Sequence, residues 1–133
     1  MALSGKNHIV EKNKTFRDSF RHAYEGIIYA LIREKNMHVH VTMGLLVIVS
    51  GVIFNISYIE WLICLIFISL VICMELINTA IEAVVDMITT KENKLAKVAK
   101  DTSAGAVLVV SIFAAFVGLV IFIPKVIYFL MNL

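Results

Sequence analysis

WLICLIFISLVICMELINTAIEAVVD, residues 61–86, decides the fold. Its first fourteen residues, Trp61 to Met74, carry no charge and read as the start of a membrane span. As one helix the twenty-six residues reach about 39 Å, enough to cross a hydrocarbon core of about 30 Å and protrude. The second half is unusual for a span. Glu75, Asn78, Glu82 and Asp86 recur at intervals of three, four and four. At helical pitch they fall within a sector of roughly 80°. Leu76, Ile77, Ala80, Ile81, Val84 and Val85 cover the rest of the cylinder. An acid near the middle of a membrane helix costs about 2.5–3.5 kcal/mol on insertion scales, so three in one stripe point to use rather than accident. The bland alternative is a polar stripe that only holds helices together. It lacks a Lys or Arg partner within the span.

The chain around this stretch is that of one membrane domain, 1–133. It is 60% hydrophobic with a mean hydropathy of +0.90, well above a soluble domain. Upstream, Val41 to Ile59 is uncharged over nineteen residues, and downstream a third uncharged run covers Thr102 to Pro124. Ser103, Ala104, Gly105 and Ala106 open that run, small enough for close helix contact. Between Thr15 and Arg33, Phe16, Phe20, Ala23, Ile27 and Leu31 share a stripe widened by Tyr24 and Ile28. Arg17, Asp18, Arg21, His22 and Glu25 lie opposite. This is an amphipathic helix suited to the membrane interface. The expected architecture is all-α, with an interfacial helix near 15–35 and spans near 37–58, 61–86 and 102–124. Residues 1–14 read as a mobile tail, and 126–133 as an apolar tail without assignment. The late first apolar run argues against a secretory signal.

Charge sets the expected orientation. Seven of twelve Lys and Arg precede residue 36, and four lie from Lys91 to Lys100. The connection at Asn55, Ser57 and Glu60 has none. By the positive-inside rule, the N-terminal segment and the loop from Met87 to Asp101 face the cytoplasm. Three spans then leave the C-terminus outside.

The stripe thus runs from the lipid tails toward cytoplasmic water. A carboxyl in low dielectric takes up a proton more readily than one in water, so the deeper Glu75 can serve as a general base. Glu82 and Asp86, nearer water, suit a hard cation such as Mg²⁺, which shares its oxygen ligands with substrate phosphates. Asn78 can orient either group. Glu34, at the same expected depth as Glu82, can share its cation, although beside Arg33 and Lys35 it also reads as an ordinary surface acid. Lys100 and Asp101 put a cation and an acid at the entrance to the third span, as ordinary helix-start charges also would. His38 and His40 point about 200° apart on a helix and cannot share a metal. Cys64 and Cys73, nine residues apart in one run, face opposite sides and read as buried apolar groups. No phosphate-binding glycine loop, dinucleotide fingerprint or nucleophile elbow is present. No internal repeat of the transporter kind is visible.

ELINTAIEAVVD, followed by AKDTSAGAVLV, resembles the small integral-membrane diacylglycerol and undecaprenol kinases of bacteria. The likeness covers Phe16 to Phe122. It implies a homotrimer with active sites between protomers, ATP with Mg²⁺ as donor system, and a membrane lipid alcohol as acceptor, with no nucleic acid among the partners. By position it implies Glu75 as catalytic base and Glu34 and Glu82 as metal and nucleotide carboxylates. Lys91, Glu92, Asn93, Lys100 and Asp101 would line the nucleotide, with Asn78 and Asp86 in support. His22, Tyr24 and Glu25 stand where the Gram-negative branch carries aromatic and basic groups, so nucleotide contacts do not transfer to that helix. ALIREKNMHVH is similar to the Gram-positive branch and implies undecaprenol as acceptor, with diacylglycerol the alternative. From another class, a small proton- or cation-coupled transporter would use Glu75 as its coupling acid and consume no ATP.

Overall fold

The computed structural model describes residues 15–89 and 91–132. The expected tail at 1–14, together with Thr90 and Leu133, lies outside the described residues. Four helices follow in order: α1 Phe16–Arg33, α2 Lys35–Ile53, α3 Tyr58–Ile88 and α4 Lys94–Met131. The last three are long and apolar enough to cross a membrane, and the chain is an all-α membrane protein.

Helix ends follow local chemistry. Thr15 caps α1 by accepting from the Asp18 N–H at 3.2 Å. Phe16, Phe20, Tyr24 and Ile27 leave their stripe exposed, as a helix lying against lipid requires. The small Ala30 is buried instead. Glu34 ends α1 and begins α2 in an extended conformation. That one break turns the chain from the interface helix into the first span.

The α2–α3 turn is a Schellman closure. The Ile56 N–H donates to the Gly51 carbonyl at 3.1 Å, and the Asn55 N–H to Val52 at 3.3 Å. Asn55 takes the left-handed position with φ 46°, which Asn tolerates better than most residues. Ser57 then opens α3 with a capping box: its hydroxyl accepts from the Glu60 N–H, and its own N–H donates to Glu60 Oε2 at 2.7 Å. This turn ends α2 at Ile53, five residues short of the expected 58.

α3 and α4 form the main antiparallel pair. Ion pairs tie both ends, Glu60 to Lys125 at 3.1 Å and Asp86 to Lys100 at 2.6 Å. The helical rise from Glu60 to Asp86 is about 39 Å, so the pairs flank a hydrocarbon core of about 30 Å. At the Glu60 end, Ile56, Cys64 and Ile121 are buried among Val47, Phe54, Trp61, Val117 and Phe122. α4 continues through Pro124, and the apolar tail beyond it is helical to Met131. Phe54 meets Phe122 and Phe129 edge-on at 6.3 and 6.1 Å, which seats that tail on the α2–α3 turn. Both cysteines are free, Cys64 buried and Cys73 exposed.

Candidate active site

At the opposite end from this core, α3 turns polar residues inward. Val71, Glu75, Asn78 and Thr79 are its buried positions there, one stripe at helical spacing. Glu75 is 1% exposed. Neither oxygen of its carboxyl has a hydrogen-bond partner among the described residues. A buried, unpartnered carboxyl is costly, and native proteins pair such groups unless a ligand does so. Thr79 uses its hydroxyl on the Glu75 backbone carbonyl at 2.9 Å, not on the carboxyl. Glu34 and Glu82 are the charged neighbours within electrostatic reach of Glu75. The bend at Glu34 and one further helical stretch of α3 thus bring three predicted carboxylates into one neighbourhood.

Asn78 is buried between two partners. Its Nδ2 donates to Glu82 Oε1 at 2.9 Å, and its Oδ1 accepts from the Ser103 hydroxyl at 2.7 Å. Of the two groups Asn78 was expected to orient, it holds Glu82. The Ser103 hydroxyl also lies 2.9 Å from the Lys100 carbonyl.

The outer members of the stripe are arranged differently. Asp86 is exposed and pairs with Lys100, a cation supplied by α4 and so invisible from the span's own sequence. Lys100 also feels Glu82. Asp101 turns the other way and pairs with Lys97, four residues back on its own helix. Lys91, Glu92 and Asn93 are exposed in the connection before α4. Asn93 spends its side-chain oxygen on the N–H groups of Leu95 and Ala96, as the α4 cap. Within one chain these three do not reach the acids. Among the described residues no three His, Cys, Asp or Glu side chains gather as a metal cluster.

Sequence reasoning missed Ser103, which read only as a small residue. The available signal was spacing: Lys100, Ser103 and Val107 share one α4 face, and the last two are buried. Beside the site, α2, α3 and α4 enclose an apolar groove of about 750 Å³. Val71, one turn from Glu75, lies at its near end, and Phe122 and Ile127 at its far end.

The family model for prokaryotic diacylglycerol kinase matches residues 21–122. The chain is 42% identical to the undecaprenol kinase of Bacillus subtilis over 92% of its own length and 99% of that protein's. It is 37% identical to a diacylglycerol kinase of Synechocystis, over 80% of this chain and 61% of that one. A diacylglycerol kinase of Helicobacter pylori matches at 32%, over 80% and 85% of the two chains. The acid stripe, the half-buried Lys100 and the three spans thus stand in a chain that belongs to the prokaryotic diacylglycerol kinase family, a family of lipid kinases.

Proposed function

We propose that this chain transfers the γ-phosphoryl group of ATP to the hydroxyl of undecaprenol, with Mg²⁺, at the cytoplasmic face of the cell membrane. The observation that carries this reading is the Glu75 carboxyl: buried, unpartnered, near Glu34 and Glu82, and one turn from the end of an apolar groove. The lipid hydroxyl approaches from the bilayer with its tail along the groove. Glu75 takes the hydroxyl proton as the alcohol oxygen bonds to the γ-phosphorus. The bond from that phosphorus to the bridging oxygen breaks, and ADP leaves. Such transfers need positioning and charge neutralisation more than covalent help, so a sparse set of residues suffices.

The residues fit a divalent cation. Glu34 and Glu82 offer hard oxygen ligands, and a pair of carboxylates is what Mg²⁺ commonly takes from a protein when phosphates and water complete its shell. Bound there, the cation neutralises charge on the ATP phosphates. Lys100 adds positive charge beside Glu82, and Lys91, Glu92, Asn93 and Asp101 form the expected nucleotide-facing edge. Among the described residues no hydrogen bond or ion pair joins that edge to Glu34, Glu75 or Glu82, which leaves room for a neighbour to complete each site in the proposed homotrimer.

Undecaprenol is favoured by the relative of that name, which aligns over nearly its full length. Diacylglycerol is the second reading, favoured by the two relatives named for it. Purified protein supplied with labelled ATP and each lipid in parallel separates them. We expect a higher kcat/KM for undecaprenol. A higher value for diacylglycerol overturns the acceptor and leaves the kinase; transfer to neither overturns both.

A further inference from the structure

The buried network beside Glu75 has a fixed direction. Asn78 is 3% exposed and Ser103 7%, so water offers neither a substitute partner. The amide of Asn78 has two ways round. With Nδ2 toward Glu82 Oε1, 2.9 Å away, a donor faces a carboxylate oxygen. Reversed, two oxygens would oppose each other at that distance, so the carboxylate selects the first orientation. Asn78 Oδ1 then faces Ser103 at 2.7 Å and requires a donor. The hydroxyl has one proton and two acceptors in reach, Asn78 Oδ1 and the Lys100 carbonyl. The carbonyl of Lys100 sits inside α4 and has the helix ladder as an alternative; the amide oxygen has no other donor among the described residues. The proton therefore goes to Asn78.

We propose that Ser103 is a positioning residue for phosphoryl transfer. Its hydroxyl locks the Asn78 amide, which holds one oxygen of Glu82 and would leave the other to take a divalent cation. This rests on the reading of Glu82 as a cation ligand. It assigns α4 a second task beside carrying Lys100: three residues apart, Lys100 and Ser103 act on the same carboxylate, one by charge and one through Asn78. Ser103 touches neither the cation nor the reacting atoms.

The test uses the full chain in lipid nanodiscs with a non-hydrolysable ATP analogue. Mn²⁺ serves as the probe, and free Mn²⁺ is read by electron paramagnetic resonance, independently of turnover. Ser103→Ala is expected to raise the Mn²⁺ dissociation constant about tenfold, the range for groups that orient a metal ligand. Asn78→Ala is expected to do the same, and adding Ser103→Ala to it should change nothing further. A purely structural serine would lower thermal stability and leave Mn²⁺ affinity alone. Should Ser103→Ala not fold, Ser103→Cys, close in size and a weak donor, carries the same expectation. Unchanged Mn²⁺ affinity in the Ser103 variant, with weakened affinity in Glu82→Gln, overturns the role of Ser103 and leaves Glu82 as ligand. Multiplying effects in the double variant also overturn it, because Ser103 would then act other than through Asn78. No effect of Glu82→Gln removes both the ligand and the positioning role.

Discussion

Glu75, the proposed base, shows what a buried carboxyl costs a membrane protein. Its carboxyl is buried with neither oxygen partnered among the described residues, so folding keeps a group that hydrocarbon would serve better. Glu75→Leu, similar in volume, is therefore expected to stabilise the protein by about 1–3 kcal/mol, the cost of one unsatisfied buried polar group, while losing transfer. Unfolding titrations in SDS measure it; a destabilised variant would mean that the carboxyl has a partner in the folded assembly. Glu34 and Glu82 belong to the same neighbourhood. Glu34→Gln and Glu82→Gln should each weaken Mg²⁺-dependent transfer and recover part of it at higher Mg²⁺. An unchanged Mg²⁺ dependence in both variants rules against ligation. The stripe itself was legible because one helix carries it, and helical spacing predicts its face. Ser103 and the Lys100–Asp86 pair were not, because each joins α3 to α4 and no spacing within one helix encodes its partner on another.

The elements divide between a packed apolar end and an end where α3 buries polar residues. At the packed end Gly51 lets Trp61 lie on α2. A Cβ there would meet the indole at 2.7 and 2.9 Å and Ile56 at 3.1 Å. Gly51→Ala should destabilise the α2–α3 hairpin by about 1–3 kcal/mol through overpacking. Far from the stripe, it should leave the Mg²⁺ dependence of the folded fraction unchanged. A variant as stable as the wild type would show that Trp61 has room to move. Spans were legible from length and charge, since lipid demands long uncharged helices. Their ends were less so. The third span was expected near 102–124, yet α4 runs on through Pro124 and Lys125 to Met131. Lys125 finds Glu60 on α3, and Phe129 finds Phe54. Tertiary partners carried the helix past local signals that favour ending it.

For the whole molecule, the two ion pairs bracket the apolar belt, and the stripe approaches one end of it. The proposed orientation, argued from the charge bias, puts that end in the cytoplasm with ATP. In a background lacking Cys64 and Cys73, a cysteine at Glu92 should resist a membrane-impermeant reagent in intact cells, and one at Asn55 should react. Labelling of the Glu92 site from outside would put the stripe in the wrong compartment. Most of the apolar surface of the spans is exposed in one chain, leaving area for lipid and for the neighbours of the proposed homotrimer. Deprotonation of a lipid alcohol by Glu75 is tested most directly by phosphate transfer with Glu75→Gln beside the wild type, in nanodiscs with undecaprenol and labelled ATP. The wild type is expected to yield labelled lipid. The variant is expected to be slower by roughly 10²–10⁴, the usual contribution of a general base, with nucleotide binding retained. Transfer by Glu75→Gln near the wild-type rate would contradict that role of Glu75.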